Sequence, residues 1–299
     1  MRKRVFSPAG AFRSIALLAA AAACRSAAPE PTEPAGPRSV FVLEVDRALA
    51  RDQVWRLQDA SDEEVVAVAM NAVRRRLRAM DFTVVLQREP GTPRFQVSLP
   101  AVGRVERELL TSMLRSIGLC ELFFVADEAS ARARGIDLAS ERARLDSWRA
   151  QNPGHALERF NTLEPDAGGP ARDLAWITAA SNLERSDLGW PVLLPHRPAD
   201  CIGATSFVRV WPATDARGEP ALGFELRPSR KQDLARITAE HVGSRLAVVL
   251  LGRLVSAPEV KPELVDTGVL EGRFAAGEVE RYARTIQELR SPLTVVSVR

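Results

Sequence analysis

The 299-residue sequence has only three cysteines and three lysines, and it lacks the signatures of the common enzyme families. Gly-x-Ser-x-Gly, Walker, Rossmann, His-Glu-x-x-His and Cys-x-x-Cys motifs do not occur. Nothing in the sequence therefore supports hydrolase, nucleotide-binding, zinc-protease or dithiol redox chemistry. We expect no catalytic residues, no cofactor and no metal site.

The three histidines lie far apart in the sequence. His155 and Glu158 stand three residues apart on a possible helix and could point two ligands in one direction. Two ligands do not form a metal site, so we expect a surface pair. His241 precedes Gly243 near a predicted helix end and is interpreted as a capping residue. An enzyme with a site in residues 130–204, using His155, Glu158 or His196, is kept as an alternative.

Long apolar runs are absent after residue 24, where no window approaches the ~18 apolar residues that a membrane helix needs. The apolar run Ser14–Ala23 follows four basic residues, and the first 29 positions contain no acidic residue. This arrangement predicts a secretory signal peptide over residues 1–23. The whole chain has 41 basic and 38 acidic residues; without the signal the basic residues fall to 37. We therefore expect no nucleic-acid surface.

Cys24 follows the small residues of this run and resembles the lipobox cysteine of bacterial lipoproteins. The resemblance implies that Cys24 is diacylated, becomes the new N-terminus and anchors the protein. Cleavage nearby that leaves a free Cys24 thiol is the alternative. Residues 24–38 have four prolines and no large apolar side chain, so they are predicted to be a linker. As polyproline II, the linker would hold the folded part ~40 Å from the membrane.

Cys120 and Cys201 are the remaining cysteines, and export would place them where disulfides can form. Each has apolar neighbours in the sequence, which is also typical of a buried free thiol. A Cys120–Cys201 disulfide and two buried thiols therefore both stay open at this point.

Residues 39–126 predict an α+β subdomain of six elements. Strands are expected at 40–45, 82–86, 95–99 and 120–125, with helices starting at a Ser61–Glu64 capping box and spanning 105–117. The order β-α-β-β-α-β favours a ferredoxin-like base, with one antiparallel sheet and two helices on one face. The arginines of the first helix are interpreted as a solvated face: Arg74, Arg75, Arg76 and Arg78.

Residues 127–290 are expected to form a second α+β subdomain, inserted or appended, that is poorly defined over 127–204. Its predicted elements comprise helices at 138–151, 229–241 and 278–289 and strands at 174–178, 190–194, 206–210, 221–226, 246–251, 254–260 and 268–274. A last strand at 293–298, within 291–299, is a candidate to return to the base.

Four of the five tryptophans lie between positions 148 and 211. They are Trp148, Trp176, Trp190 and Trp211. Core packing is the first interpretation of these residues. The alternative is contact with an apolar polypeptide, because aromatic side chains dominate binding hot spots.

Several segments resemble the large periplasmic domain of SecD, a subunit of the bacterial protein-export machinery. They are Phe41–Asp46, Arg74–Leu77, Val97–Pro100, Gly218–Phe224, Ala239–Leu250, the Val-x-Ser-Ala-Pro hairpin arm Leu254–Val260, and Gly268–Phe274. The resemblance implies a ferredoxin-like base and a head subdomain, and covers about 39–126 and 205–299. Two departures are the missing Asp-Leu-x-Gly-Gly segment and a Leu251-Gly252 turn in place of Asp-Gly. The family's six membrane helices are not found either.

Together these features predict a non-enzymatic protein of the bacterial envelope, anchored by lipid at Cys24 and facing the periplasm. Its expected partners are unfolded or emerging secreted polypeptides, or translocon and envelope proteins. An envelope assembly lipoprotein unrelated to the translocon is the alternative.

Overall fold

The first strand of the described residues starts at Arg38, the last residue of the predicted linker. The computed structural model describes residues 36–180, 183, 189–260, 267–272, 274–275 and 277–299. Of the two units into which the chain divides, Pro37–Arg299 contains these residues apart from Gly36. The predicted signal peptide, Cys24 and most of the 24–38 linker lie outside the described residues.

The described chain is an α+β protein whose strands and helices are numbered here in chain order. The strands are β1 Arg38–Val45, β2 Val85–Arg88, β3 Arg94–Pro100, β4 Cys120–Val125, β5 Leu174–Ala179, β6 Trp190–Leu193, β7 Ile202–Gly203, β8 Phe207–Thr214, β9 Pro220–Leu226, β10 Leu246–Leu250, β11 Arg253–Ser256, β12 Thr267–Leu270 and β13 Leu293–Val298. The α-helices are α1 Arg47–Leu49, α2 Asp62–Ala79, α3 Arg104–Ser116, α4 Glu128–Arg132, α5 Leu138–Gln151, α6 Leu157–Asn161, α7 Pro228–Ala239 and α8 Glu278–Gln287.

Helix α2 starts at the predicted capping residue. The Ser61 hydroxyl accepts from the Glu64 backbone N–H at 3.2 Å, which satisfies one free donor of the first turn. The Glu64 carboxylate accepts instead from Arg159 Nε at 2.6 Å, so the capping residue is confirmed while its glutamate bonds to a distant arginine.

The first sheet has the strand order β13-β1-β3-β2, and all its neighbours are antiparallel. Side chains of β1 alternate between the two faces, so that Phe41, Leu43 and Val45 are buried. Apolar residues of α2 and α3 lie in the same core cluster as these side chains. The apolar side chains of these helices and of the first sheet thus pack together in one core.

The fourth strand of the first sheet was predicted at 120–125, and this is wrong. A strand forms there, as β4, but it pairs antiparallel with β10 over its first five residues and belongs to a second sheet. The edge of the first sheet beside β1 is taken by β13, the final strand. A sequence period shows that a strand is buried, but it does not show which distant edge will pair with it.

The second sheet closes on itself. Its order is β10-β11-β5-β6-β4-β7, and a further pairing joins β10 to β4, so five strands form a ring with β7 added at β4. The β11–β5 pair is parallel and the other pairs are antiparallel. Side chains such as Phe123, Val192 and Val249 form a separate core cluster of this sheet. Closing a sheet removes edges that could pair with other chains.

The third sheet has the order β12-β9-β8 and packs against α8. Helix α8 lies within the predicted helix 278–289 and buries Val279, Tyr282, Ala283 and Ile286, whose spacing places them on one face. No helix of the described residues is sufficiently long and apolar to cross a membrane.

Candidate functional site

An apolar groove of about 370 Å³ lies between helix α7 and strands β4 and β6. Its volume falls within the ~300–1,000 Å³ of typical ligand pockets. The apolar groove is lined by carbon-rich side chains from elements that are distant in sequence: Leu122, Phe123, Phe124, Leu193, Leu194, Ile202, Leu234, Ile237 and Leu246. Leu234, Ile237 and His241 share one side of the α7 segment because they are three and four residues apart.

His241 fixes the wall of the apolar groove beside Phe124. The two rings stack with centroids 3.8 Å apart and planes 8° apart. Nδ1 of His241 donates to the Ile237 carbonyl at 2.8 Å, which caps the last turn of α7 and agrees with the predicted capping role. A flat aromatic surface is thereby held at the groove.

Charged side chains lie at the edge of the apolar groove, and most of them are paired with one another. Asp200 accepts from Arg197 Nε at 2.9 Å and from Arg236 Nη2 at 2.6 Å. Glu240 pairs with Arg236 at 3.3 Å, and Arg134 donates to the Leu194 carbonyl at 2.7 Å. An apolar floor inside a polar, paired rim is the anatomy of a protein-binding patch.

The four tryptophans proposed to contact polypeptide do not line one groove. Trp176 is 1% exposed in a third core cluster, against which Trp148 also packs, so its indole is not presented to a ligand in this conformation. Trp190 packs on the ring sheet with Arg245 5.0 Å from its centroid. Trp211 is in the third sheet beneath Arg209, 4.8 Å from the ring. The core interpretation describes Trp176 and, in part, Trp148 and Trp190.

The residues considered for catalysis are also dispersed. His155 is exposed and tilted against Trp148, with ring centroids 6.5 Å apart. Glu158 lines a small cavity of about 70 Å³, where burial raises its pKa to about 7. His196 stands at the apolar groove, with Nε2 3.3 Å from Asp173. Among the described residues, no group of three or more metal-ligating side chains could hold a metal ion.

Both cysteines of the folded part are free thiols. Cys120 is buried and Cys201 is half-buried, and burial raises the pKa of both thiols, to about 12 for Cys201. The structure has no Cys120–Cys201 disulfide, and the alternative of two buried thiols holds for Cys120 but only in part for Cys201.

Two of the four α2 arginines that were interpreted as a solvated face, Arg75 and Arg76, are instead bonded to other segments. Arg76 is 9% exposed and donates to Glu121 Oε1 from Nε at 3.3 Å and from Nη2 at 3.1 Å. Arg75 donates to the backbone carbonyls of Ala171 and Leu174. Helix α2 thus contacts β4 and the segment before β5 through two guanidinium groups. The alternation of charge along a helix cannot reveal partners that are 45 or more residues away.

The apolar groove itself was not predicted as a site. The sequence showed a helix at 229–241 and strands at 120–125 and 190–194, but each apolar side chain had an equally good explanation as core. The one local signal was His241, a polar ring at the end of the α7 face that carries Leu234 and Ile237.

Comparison with known proteins finds similarity for the segment that supplies part of the groove lining. Residues 188–288 match the family model of the SecDF P1 head subdomain. The SecD protein translocase subunit of Aquifex aeolicus is 25% identical over 259 residues, which are 86% of this chain and 43% of that protein. SecD of Rhodobacter capsulatus is 24% identical over 235 residues, with 77% and 35% covered. The chain spans less than half the length of these relatives.

Two solved SecDF structures align with this chain. The super-membrane-facing form has a TM-score of 0.34 and 18% identity, covering 88% of this chain and 30% of its own. A SecDF membrane component that enhances protein export has a TM-score of 0.34 and 19% identity, covering 87% and 99%.

The matches to the family model and to the curated relatives confirm the resemblance: the chain is similar to the SecD and SecDF periplasmic domain with its P1 head subdomain. The head match begins at 188 and so extends into the segment that the sequence left poorly defined.

Proposed function

We propose that this chain is a non-enzymatic, lipid-anchored protein of the bacterial envelope that binds apolar segments of non-native polypeptide during protein export. The observation that carries the proposal is the apolar groove. Leu193, Leu234 and Ile237 in its lining belong to the segment that matches the SecDF P1 head subdomain. The curated relatives are protein translocase subunits, which agrees with a role in export.

The strand order of the first sheet supports a ferredoxin-like base as part of this proposal. The order β13-β1-β3-β2, all antiparallel, is the one that a β-α-β-β-α-β unit adopts when β13 supplies its last strand. On this proposal the base comprises β1 to α3 together with β13, and the intervening residues form the inserted head. The chain would then pass from the base into the head after α3 and return to the base at β13, so that two connections join base and head.

Polypeptide binding is tested with a short fluorescent peptide rich in leucine and phenylalanine. Phe124→Ala removes part of the groove wall, and we expect the dissociation constant, measured by fluorescence anisotropy, to rise about tenfold. Val208→Ala is the control, because Val208 is a large apolar side chain that is 51% exposed outside the groove. It should leave affinity unchanged.

Two results would contradict the groove as the binding site. One is equal affinity for the peptide in the native chain and in Phe124→Ala. The other is a larger loss in Trp190→Ala or Trp211→Ala, which would move binding to the tryptophans instead. A peptide with serine at every leucine and phenylalanine position should show no saturable binding.

The lipid anchor is a separate part of the proposal. Cys24 lies outside the described residues, so support for the anchor comes from the signal-like residues 1–23 alone. Mass spectrometry of the protein isolated from bacterial membranes should find a diacylated cysteine, residue 24, at the mature N-terminus. An unmodified N-terminus elsewhere, with the Cys24 thiol intact, would rule the anchor out.

A further inference from the structure

A second cavity, of about 540 Å³, lies between helix α2 and the segments that follow α6 and precede β5. We call it the arginine cleft, because Arg74, Arg75, Arg78 and Arg172 line it. The acidic side chains in its lining are Asp81 and Glu164. Four guanidinium groups against two carboxylates leave a formal charge of +2 in one concave space.

The carboxylates of the cleft are already engaged. Arg78 Nη1 reaches both oxygens of Glu164, at 2.7 and 2.8 Å, and Arg172 Nη2 reaches Asp81 at 3.1 Å. Within the described part of the chain, Arg74 forms no ion pair and donates to the amide oxygen of Asn71. Its positive charge therefore has no carboxylate bonded to it.

Holding these arginines together has an electrostatic cost. Burial, followed by the neighbouring charge of Arg78, lowers the pKa of Arg74, and burial lowers the pKa of Arg75 to about 10. Both directions mean that the charged forms are less well solvated than in water. An anion in the cleft would offset this cost, and guanidinium groups bind phosphate oxygens through paired donors.

We propose that the arginine cleft binds the phosphate group of a phosphomonoester. Above a second pKa of about 6 such a group is a dianion, which matches the formal charge of the cleft. The cavity is larger than the phosphate alone needs, and Phe82 and Leu163 in its lining provide apolar surface for the organic part of the ligand. Both a soluble phosphomonoester and a phosphatidic acid headgroup present this chemistry.

The test uses phenyl phosphate and the full mature chain, with binding followed by isothermal titration calorimetry at pH 7.5. We expect saturable binding, and dissociation constants at least about tenfold higher for benzoate and for Arg74→Gln. Glu164→Gln should instead bind phenyl phosphate about threefold more tightly, because Arg78 loses its carboxylate partner. Arg104→Gln is the matched control, since the Arg104 side chain is 92% exposed on α3.

Arg104→Gln removes the same charge as Arg74→Gln, so it separates a site from a general effect of net charge. The tighter binding expected for Glu164→Gln separates the site from a general loss of folding. The proposal is overturned if the native chain shows no saturable binding of phenyl phosphate up to about 10 mM. It is also overturned if benzoate binds equally well, if Arg104→Gln weakens binding as much as Arg74→Gln, or if Glu164→Gln weakens it. Circular dichroism of each variant confirms that it is folded.

Vesicles identify the source of the phosphate. Phosphatidylcholine vesicles with and without phosphatidic acid are sedimented with native protein and with Arg74→Gln. If the protein sediments only with vesicles that contain phosphatidic acid, and only when Arg74 is present, the ligand is a lipid headgroup. Binding of phenyl phosphate without such sedimentation assigns a soluble phosphomonoester.

Discussion

Replacing Glu121 by alanine is expected to lower the free energy of unfolding by about 3–5 kcal/mol. The Glu121 carboxylate pairs with Arg76 through Oε1 and accepts from the Gly118 backbone N–H through Oε2 at 3.0 Å. Both members of the ion pair are 9% exposed, and the Arg76 guanidinium also lies 4.5 Å from the centre of the Phe123 ring. The variant leaves a buried positive charge and a buried N–H without their acceptor.

Urea unfolding measures this effect, and Glu225→Ala is its control. Glu225 is also a strand glutamate bonded to an arginine, but its partner Arg209 has a side chain that is 64% exposed. An exposed pair contributes at most about 1 kcal/mol, so the control should unfold near the native midpoint. Similar losses in the two variants would show that the Arg76–Glu121 pair has no special importance.

A double variant keeps this test informative if Glu121→Ala does not fold. Arg76→Met with Glu121→Leu replaces the buried charges by apolar groups of similar size. Such replacements of buried ion pairs are often neutral or stabilising. We therefore expect the double variant to be more stable than Glu121→Ala, and equal instability would contradict the electrostatic explanation.

Replacing Gly252 by alanine is expected to lower the free energy of unfolding by about 3 kcal/mol, from left-handed backbone strain and a steric clash together. Leu251 and Gly252 form the two-residue turn between β10 and β11, with φ values of +48° and +70°. These values belong to the primed turns that connect antiparallel strands. A Cβ on Gly252 would also overlap the carbonyl oxygen of Val54.

Gly218→Ala separates the two contributions. Gly218 has a φ of +82° in the turn before β9, yet a Cβ there would have no atom within 4 Å. Its replacement should cost only the backbone strain, about 1 kcal/mol. Denaturant midpoints that fall equally in the two variants would show that the turn tip does not pack closely on Val54.

The turn at Leu251-Gly252 illustrates how far local sequence could go. The apolar runs 246–251 and 254–260, separated by two residues, predict a hairpin, although the turn lies one residue earlier than this spacing indicates. Glycine explains one of the two positive φ angles. Leucine is an unfavourable choice for the other, and its reason is tertiary: the Leu251 side chain is 8% exposed and packs into the main core. Burial of a large apolar side chain offsets the backbone preference.

Helix α2 likewise has one feature that local sequence predicts and others that depend on distant segments. Its start at Ser61 follows from spacing within one element, and it was predicted. The partners of Arg75 and Arg76, and the concentration of charge in the arginine cleft, depend on segments 45 to 99 residues away. An arginine facing water and one facing a buried carboxylate occupy the same positions in a helical pattern.

Most of the longer helices and strands could be located from the sequence, because caps, turns and apolar periods act between residues that are close along the chain. The sequence also determined the resemblance to the SecD head, which rests on consecutive residues. Three features became visible only in the folded chain: β13 rather than β4 completes the first sheet, five strands close into a ring, and α7 meets β4 and β6 to form the apolar groove. Strand edges offer the same backbone hydrogen bonds to any partner, so the choice among them is made by packing of the whole chain.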